Sequence, residues 1–493
     1  MKDLMDIAKR RGFFWPSFEL YGGSSGFYTY GPLGSLLKLN IEAVIRDWFI
    51  RKEKCIAVDA PLLTTEDPWV ASGHVSNFTD VTAECTVCGE PYRADHLIEE
   101  KTKNSAEGLS LAQLGKEIEK NKIKCPKCGG KLGNLYDYNM MFKTYIGPGK
   151  NKVTGYLRPE TAQTTYMPFR RLYELARRQI PFGVIQFGKS FRNEISPRQA
   201  IIRLREFSQA EIQFFVDPKN KHKHASFGEV KDLEISVVTK ESDKQKKMTL
   251  GDVVKKNHTT EWIANYLGVA VNLFIRMGID KKKLRLRQHK DNERSFYSTD
   301  TWDVEYDSQT FGMIELVGIA DRTDYDLKRH MELSKKDLSV EIDSKKVVPH
   351  VIEIAFGIDR PVFCVMESSA KMDKERMYFK FPSEIAPYKV AVFPLVRKDK
   401  LPEKAKEVYN MLYKEGFLVL YDEGFIGKVY YRQDEAGTPY CITIDYDSLK
   451  NQDVTIRSRD DQKQIRVKIK DLPQTLNGFL SGKLDFSKQV KLQ

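Results

Sequence analysis

The sequence predicts an α+β protein ending in a smaller α/β domain, and three observations predict it. Two apolar strand-like runs, 182–191 and 208–216, face each other across a long connection loaded with charge. Strand signals return at 295–305, 312–317 and 350–355, separated by polar stretches without a clean period. Beyond 382–387 strands (388–396, 417–421, 440–445, 454–457, 465–469) alternate with helices near 403–414 and 426–434. At 493 residues the chain is long for one core, and about three domains are expected.

Composition narrows the class. Hydrophobic residues at 41% and aromatics at 11% are those of a globular protein. A formal charge of +12 and a pI near 9.0 favour a polyanionic partner such as nucleic acid. Residues 1–11 are charged and have no apolar core, so no secretory leader is expected there. No run approaches the ~18 apolar residues that a membrane span needs, so no membrane partner is expected. Seven cysteines are an odd number and four sit in C-x-x-C pairs, which favours a reducing compartment, the cytoplasm, over a disulfide framework.

The elements divide the chain in order. Residues 1–83 carry G-F-Y-T-Y-G-P-L-G from Gly26, then a helix to about Phe49 with Leu33, Leu37, Ile41, Val44 and Trp48 at helical spacing. A lysine-rich insert, 84–135, holds the cysteine pairs, and 136–216 holds the hairpin. A polar, basic insert at 217–294 precedes the remaining strands at 295–382, and the α/β domain occupies 383–493.

The hairpin connection gathers Arg192, Glu194, Arg198, Arg203, Arg205 and Glu206. Connections this long are uncommon unless they carry function. Period-2 alternation puts Arg192 and Glu194 on one face, and Glu211 with Gln213 on one face opposite Ile212 and Phe214. Arginines, carboxylates and an aromatic together suit phosphates, an ammonium and a flat base, a description that ATP plus an amino acid fits.

Cys85-x-x-Cys88 and Cys125-x-x-Cys128 are each followed by a glycine (Gly89, Gly129) that permits a tight turn, with 36 residues between the pairs. Four thiolates and no open position describe a structural Zn²⁺ site; the plain alternative is two unrelated pairs of reduced cysteines. Gly183 to Ser190 spells a phosphate loop letter for letter, yet Val184–Phe187 is strand-like and Phe191 onward continues the strand, so the helix that a phosphate loop requires is missing. His350 to Pro361 reads as a strand turning through Gly357 into a helix with Pro361 at its first position. Arg360 there is either an anion ligand or an exposed surface arginine. Glu315, among apolar strand neighbours, either holds Mg²⁺ on a phosphate or is an edge-strand charge. Glu160 stands at a strand-to-helix switch with Thr161 as a cap. The Lys281–Arg287 run and the His222/His224 pair read as solvated surface, with RNA contact the sharper alternative for the lysines.

Together these segments resemble the three signatures of class II aminoacyl-tRNA synthetases, in order. The Gly-Pro strand and helix around Pro32 resembles the first, a dimer-interface element. Phe191 through Phe207 resembles the second, and Glu353 through Arg360 the third. Within the class the chain is similar to the homodimeric glycyl-tRNA synthetases of the archaeal and eukaryotic kind. The markers are G-F-F-W-P-S-F-E-L-Y-G-G near residue 12, W-V-A-S-G-H-V near Trp69, L-R-P-E-T-A-Q from Leu157, D-E-G-F-I-G-K-V-Y-Y-R-Q-D-E-A-G-T-P-Y from Asp422 and V-T-I-R-S-R-D from Val454. The resemblance covers about residues 11–470.

It implies an antiparallel sheet flanked by helices, a C-terminal domain that reads the anticodon, a homodimer, and tRNA(Gly), glycine and Mg²⁺-bound ATP as partners. Arg192 and Arg360 would be the catalytic pair. Arg192, Asn193, Glu194, Arg203, Leu204, Phe207, Glu315, Leu316 and Arg360 would bind ATP, with Glu194 on the adenine amino group and Phe207 and Arg360 on the ring's faces. Glu160, Glu211, Glu353, Ile354 and Ala355 would bind glycine. Three carboxylates around a small cation would leave no room for a Cβ, so no editing domain is required. Two positions depart from the family. Ala355 replaces a serine, removing a hydroxyl whose hydrogen bond is typically worth about 1 kcal/mol net, and Thr164 replaces a glycine. Rival readings are a class II enzyme for another amino acid, and a synthetase-like protein that has lost activity. The three carboxylates oppose the first, and Arg192, Glu194, Phe207 and Arg360 oppose the second.

Overall fold

The computed structural model describes residues 2–106, 108–197, 199–295, 297–373 and 376–490, so Arg198 of the charged connection lies outside the described residues. Nine strands form the main sheet: β1 (Ile56–Val58), β2 (Phe182–Phe191), β3 (Glu206–Val216), β4 (Glu234–Thr239), β5 (Ser242–Thr249), β6 (Leu284–Gln288), β7 (Asp300–Ser308), β8 (Gly312–Thr323) and β9 (His350–Gly357). Their spatial order is β5-β4-β6-β7-β8-β9-β3-β2-β1, antiparallel except at β4–β6 and β2–β1.

One face is largely apolar. Ile212, Phe214, Val304, Ile319, Ile354 and Phe356 pack there against Leu37, Ile41 and Val44 of the Pro32–Arg46 helix and against the Glu261–Arg276 helix. The other face divides. Val184, Phe215 and Val351 are covered by Tyr166, Phe169, Leu172 and Leu327, while the remainder opens into a cavity.

Four sequence readings change. Residues 217–294 are no appended insert: they supply β4, β5 and β6. Their character was hidden because β5 is an edge strand whose lysines are solvated, and because the Glu261–Arg276 helix is buried nearly all round and shows no apolar stripe. β8 runs on past Val317 to Thr323, since Gly318 and Ala320 face the cavity and the buried Arg322 breaks the apolar pattern. The lysine-rich cysteine module reads as too polar to build a core of its own, yet Ala83, Leu97, Ile98, Leu114, Ile118 and Leu132 form a small one. It consists of the strands Pro91–Arg93, Thr79–Cys85 and Leu132–Asn139 with helices Ala94–Thr102 and Leu111–Lys120. The helix after β9 spans Asp359–Ser369, placing Pro361 third, where its missing N–H is still one of four without an intrahelical acceptor.

The C-terminal sheet holds β10 (Val390–Pro394), β11 (Val419–Tyr421), β12 (Tyr440–Ile444), β13 (Asp453–Ser458) and β14 (Gln464–Lys468), ordered β11-β10-β12-β13-β14. Helices Leu401–Lys414 and Ile426–Ala436 match the sequence reading, and the Leu472–Leu480 helix was not anticipated. Two adjacent carboxylates join this domain to the rest. Glu435, fully buried, receives both Arg10 nitrogens at 2.8 Å and also Arg11. Asp434 receives Arg376 at 2.9 Å and Arg457 at 2.9 and 3.0 Å. Among the described residues no helix is long and apolar enough to cross a membrane.

Removing Asp434 strands two largely buried guanidinium groups, and uncompensated buried charge costs about 3–5 kcal/mol. Asp434→Ala is therefore expected to unfold the C-terminal domain at markedly lower urea concentration. A midpoint shift no larger than that of an exposed control such as Asp461→Ala would contradict it.

Candidate active site

Strand register brings the acidic residues together. Asp303 of β7, Gly318 of β8, Ala355 of β9 and Glu211 of β3 stand in one row across the sheet. Thr301, Ala320, Glu353 and Gln213 form the next. Gly318 and Ala355 carry at most one side-chain carbon, so they make the floor of a cavity of about 360 Å³.

Glu160, Glu211 and Glu353 line that cavity and are buried. They are not free charges, because a fully buried arginine runs behind them. Arg322 donates to both oxygens of Asp326 at 2.8 and 2.9 Å and to Glu353 at 3.0 and 3.1 Å, and lies 3.6 Å from Glu160. The ring of Tyr297 covers its guanidinium at 3.8 Å. Glu160 also lies 3.4 Å from His74 and accepts from Gln163 at 3.0 Å. Gln213 donates to Glu353 at 2.9 Å. Glu211 instead accepts from two neutral donors, the Thr161 hydroxyl at 2.6 Å and the Gln209 amide at 3.0 Å.

The titration of the three follows from these partners. Burial drives the Glu211 carboxyl up, the charges of Glu353 and Glu160 push it further, and it reaches about 8. Burial also lifts Glu353, against the pull of Arg322. For Glu160 burial is outweighed by the charges of His74 and Arg322, which hold it well below the ordinary carboxylate range. The expected triple-anion cage is thus two carboxylates committed to internal cations and one that protonates near neutrality.

The basic residues line the same cavity. Arg192 lies beyond the end of β2, so strand alternation does not place it; its N–H donates to the Arg205 carbonyl, its Nε donates to the Pro159 carbonyl at 3.1 Å, and its guanidinium lies 5.3 Å from the rings of Phe78 and of Phe207. Glu194 lies 3.6 Å from Arg203. Arg360 donates to Glu315 Oε2 at 2.9 Å, so Arg360 is no stray surface cation. Burial raises and Arg360 lowers the Glu315 carboxyl, with the net effect downward. Leu204 lines the cavity and also reaches the core.

Three predicted site residues are not brought to the cavity wall. Ile354 and Leu316 are buried in the apolar core, since alternation turns each away from its cavity-facing neighbours. Asn193 turns its backbone N–H to the Met140 carbonyl at 2.7 Å and is absent from the lining. Thr164, in place of the family glycine, is accommodated by donating to the Thr161 carbonyl at 2.8 Å. The phosphate-loop lookalike lies wholly within β2, as its strand-like interior foretold. His74, Tyr297, Arg322 and Asp326 were missed as site residues. For Arg322 the signal was there: Gly318, Ala320 and Arg322 alternate against Val317 and Ile319, a charged residue on a strand's inner face that demands partners.

In the module the four cysteine sulfurs lie within 4.8 Å of one another, with Cys85–Cys128 at 3.5 Å and Cys88–Cys125 at 3.7 Å. Four sulfurs about 2.3 Å from a tetrahedral Zn²⁺ would be about 3.8 Å apart, so the set fits a metal of that kind. Gly89 and Gly129 have φ of +68° and +71°, the turn that the glycines were expected to permit.

Arg322→Met would leave Asp326 and Glu353 buried without their cation, a loss of about 3–5 kcal/mol. Chemical denaturation should register that loss, and Arg322→Lys should recover only part of it, because one ammonium cannot replace two bidentate pairs. Full recovery by lysine would contradict the geometry.

Comparison with known proteins identifies the family. Residues 389–478 match the family described as Anticodon binding domain. A glycine–tRNA ligase of Thermococcus sibiricus is 42% identical over 97% of this chain and 98% of its own. One from Pyrococcus abyssi is 42% identical over the same shares, and one from Methanocaldococcus jannaschii 42% over 95% and 97%. In fold, a crystal structure of a prolyl-tRNA synthetase from Cryptosporidium parvum superposes with a TM-score of 0.58 at 13% identity, over 97% of this chain and 75% of that one. With an acid cage and an arginine-lined cavity on an antiparallel sheet, and near-full-length identity above 40% to such enzymes, this chain belongs to the glycine–tRNA ligases.

Proposed function

We propose that the acidic half of the cavity binds the glycine ammonium and the arginine half binds Mg²⁺-bound ATP, so that glycyl-adenylate forms between them. The observation that carries this reading is that Arg192 and Arg360 line one cavity with Glu160, Glu211 and Glu353. The glycine carboxylate attacks the α-phosphate in line, pyrophosphate leaves, and the terminal adenosine hydroxyl of tRNA(Gly) then takes the glycyl group. Arg192 grips the α-phosphate and the amino-acid carboxylate, a fork that lysine lacks. Glu194 accepts from the adenine amino group, Phe207 and Arg360 cover the ring, and Glu315 faces the metal-bridged phosphates. Neither step needs a side-chain nucleophile; placement and charge supply the rate.

Selectivity for glycine is steric. Glu211 is pinned by Thr161 and Gln209, and Glu353 by Gln213 and Arg322, so neither can withdraw to admit a methyl group. The C-terminal domain and the net charge of +12 support tRNA binding there. Cys85, Cys88, Cys125 and Cys128 would hold a structural Zn²⁺, cross-linking a module with a small core. We assign the working form as a cytoplasmic homodimer, supported by the Pro32–Arg46 helix of the first signature.

Amino-acid-dependent ATP–pyrophosphate exchange, run with glycine, alanine, serine, proline and threonine, tests the reading. Glycine alone should support exchange; activity with proline alone, or with none, would reassign the protein. Glu211 is largely protonated at pH 7 before glycine arrives, because its carboxyl is raised to about 8. An ammonium beside it reverses that, so glycine binding should release a proton. Binding heats at pH 7 should therefore vary with the ionisation enthalpy of the buffer, and Glu211→Gln should abolish the variation. The raised value also means that the folded state holds more protons than the unfolded between pH 4.5 and about 8, so the ligand-free protein loses stability as pH rises through that window. Elemental analysis should find one zinc per chain, lost in Cys85→Ser/Cys125→Ser; zinc retained in that variant would exclude the four-sulfur site.

A further inference from the structure

We propose that Arg93, carried on the four-cysteine module, is a positioning residue of the nucleotide site that holds Glu194 as a reader of the adenine amino group. This rests on the glycine–tRNA ligase reading and extends its nucleotide half. Arg93 ends the Pro91–Arg93 strand and lines the cavity together with Glu194 and Arg203. Its guanidinium is locked from the module's side. Nε and Nη2 donate to Asp95 at 3.1 and 2.5 Å, and Nη1 lies 3.3 Å from Asp80. Asp95 is itself fixed in the first turn of the Ala94–Thr102 helix, where a carboxylate is favoured.

Glu194 sits in the field of these charges. Its Oε2 is buried without a hydrogen-bond partner among the described residues, with Arg203 at 3.6 Å. A carboxylate oxygen buried with no donor is costly unless a ligand supplies one and nearby cations compensate in the meantime. Arg93 and Arg203 are those cations. An anionic carboxylate only accepts hydrogen bonds, so it takes the amino group of adenine and repels the carbonyl oxygen of a 6-oxopurine. The loop that carries Glu194 is also tied to the module's edges. The Ser196 hydroxyl donates to the Pro91 carbonyl at 3.0 Å, and the Asn193 N–H donates to the Met140 carbonyl at 2.7 Å. Module and reading loop therefore move as one piece, and the module's contribution reaches the base rather than the amino acid.

The test compares ATP with inosine triphosphate, by calorimetric binding and by glycine-dependent pyrophosphate exchange, in the wild type, Arg93→Met, Arg93→Lys and Asp95→Asn. Arg93→Met should weaken ATP about tenfold and shrink the preference for ATP over inosine triphosphate by a similar factor. The KM for glycine should stay within about twofold. Arg93→Lys should fall between wild type and Arg93→Met. Zinc content and melting temperature report whether the module is intact; where Arg93→Met fails to fold, Asp95→Asn, which unlocks the guanidinium without removing it, should also lower the preference. An unchanged nucleotide preference in both variants overturns the proposal, as does an equal loss of ATP, inosine triphosphate and glycine. Because binding is measured without glycine, a wild type inactive in exchange would sink the glycine reading alone.

Discussion

The site depends on one buried guanidinium. Arg322 is fully buried, and a charge in that position is tolerable only with carboxylates around it. The converse holds equally: Glu160, Glu353 and Asp326 could not share so small a volume as anions without it. Each side makes the other possible, and the arrangement assigns different tasks to the three cavity carboxylates. Glu353 and Glu160 are structural anions. Among the described residues Glu211 accepts hydrogen bonds only from neutral donors, and its raised carboxyl leaves its charge open to change by a ligand.

A second carboxylate connects the three signature segments. Asp359 accepts the Tyr30 hydroxyl at 2.7 Å and the Ser208 N–H at 2.6 Å, and lies 4.0 Å from Lys38. Tyr30 and Lys38 belong to the first segment, Ser208 follows the second, and Asp359 belongs to the third. Its place in the first turn of a helix favours the negative charge. The same helix start is unfavourable for its neighbour Arg360, whose charge is met by Glu315 until an anionic ligand competes. The element expected to serve a dimer contact therefore also fixes the geometry of its own protomer's site.

How much could be read beforehand depended on what each residue faces. β2 and the C-terminal alternation were legible because their apolar periods are undisturbed, and the paired cysteines because few other structures use that spacing. β8 was cut short, and β4–β6 were taken for an insert, for different reasons: one presents chemistry where a core strand presents apolar atoms, while the others begin from β5, a solvated edge full of lysines. Arg192, Glu194 and Arg203 were grouped by type and proximity, while Arg360, left open between anion ligand and surface charge, was joined to them through the family resemblance; all four line one cavity. Ile354 and Leu316 were carried into the site by the family resemblance, whereas strand geometry turns each away from its cavity-facing neighbours. Arg322 was passed over although its alternation with Val317 and Ile319 marked it, and His74 escaped because nothing distinguishes it until the fold brings Glu160 beside it.

The two halves of the site achieve precision by different means. The amino-acid half is built on β3, β8 and β9, where the ladder fixes every Cβ and the small floor of Gly318 and Ala355 sets the available depth. Excluding one methyl group is worth only about 1–3 kcal/mol in a pocket that can yield, so its walls must be stiff, and the bonds from Thr161, Gln209, Gln213 and Arg322 make them so. The nucleotide half stands on a connection outside regular structure, which no ladder can stiffen. Its residues are held instead by partners from elsewhere: Arg192 by the Pro159 carbonyl, Arg205 by the Glu194 carbonyl, Ser196 by the cysteine module. The cysteine module, outside the main sheet, thus supports the loop that carries Glu194 where no strand of that sheet runs.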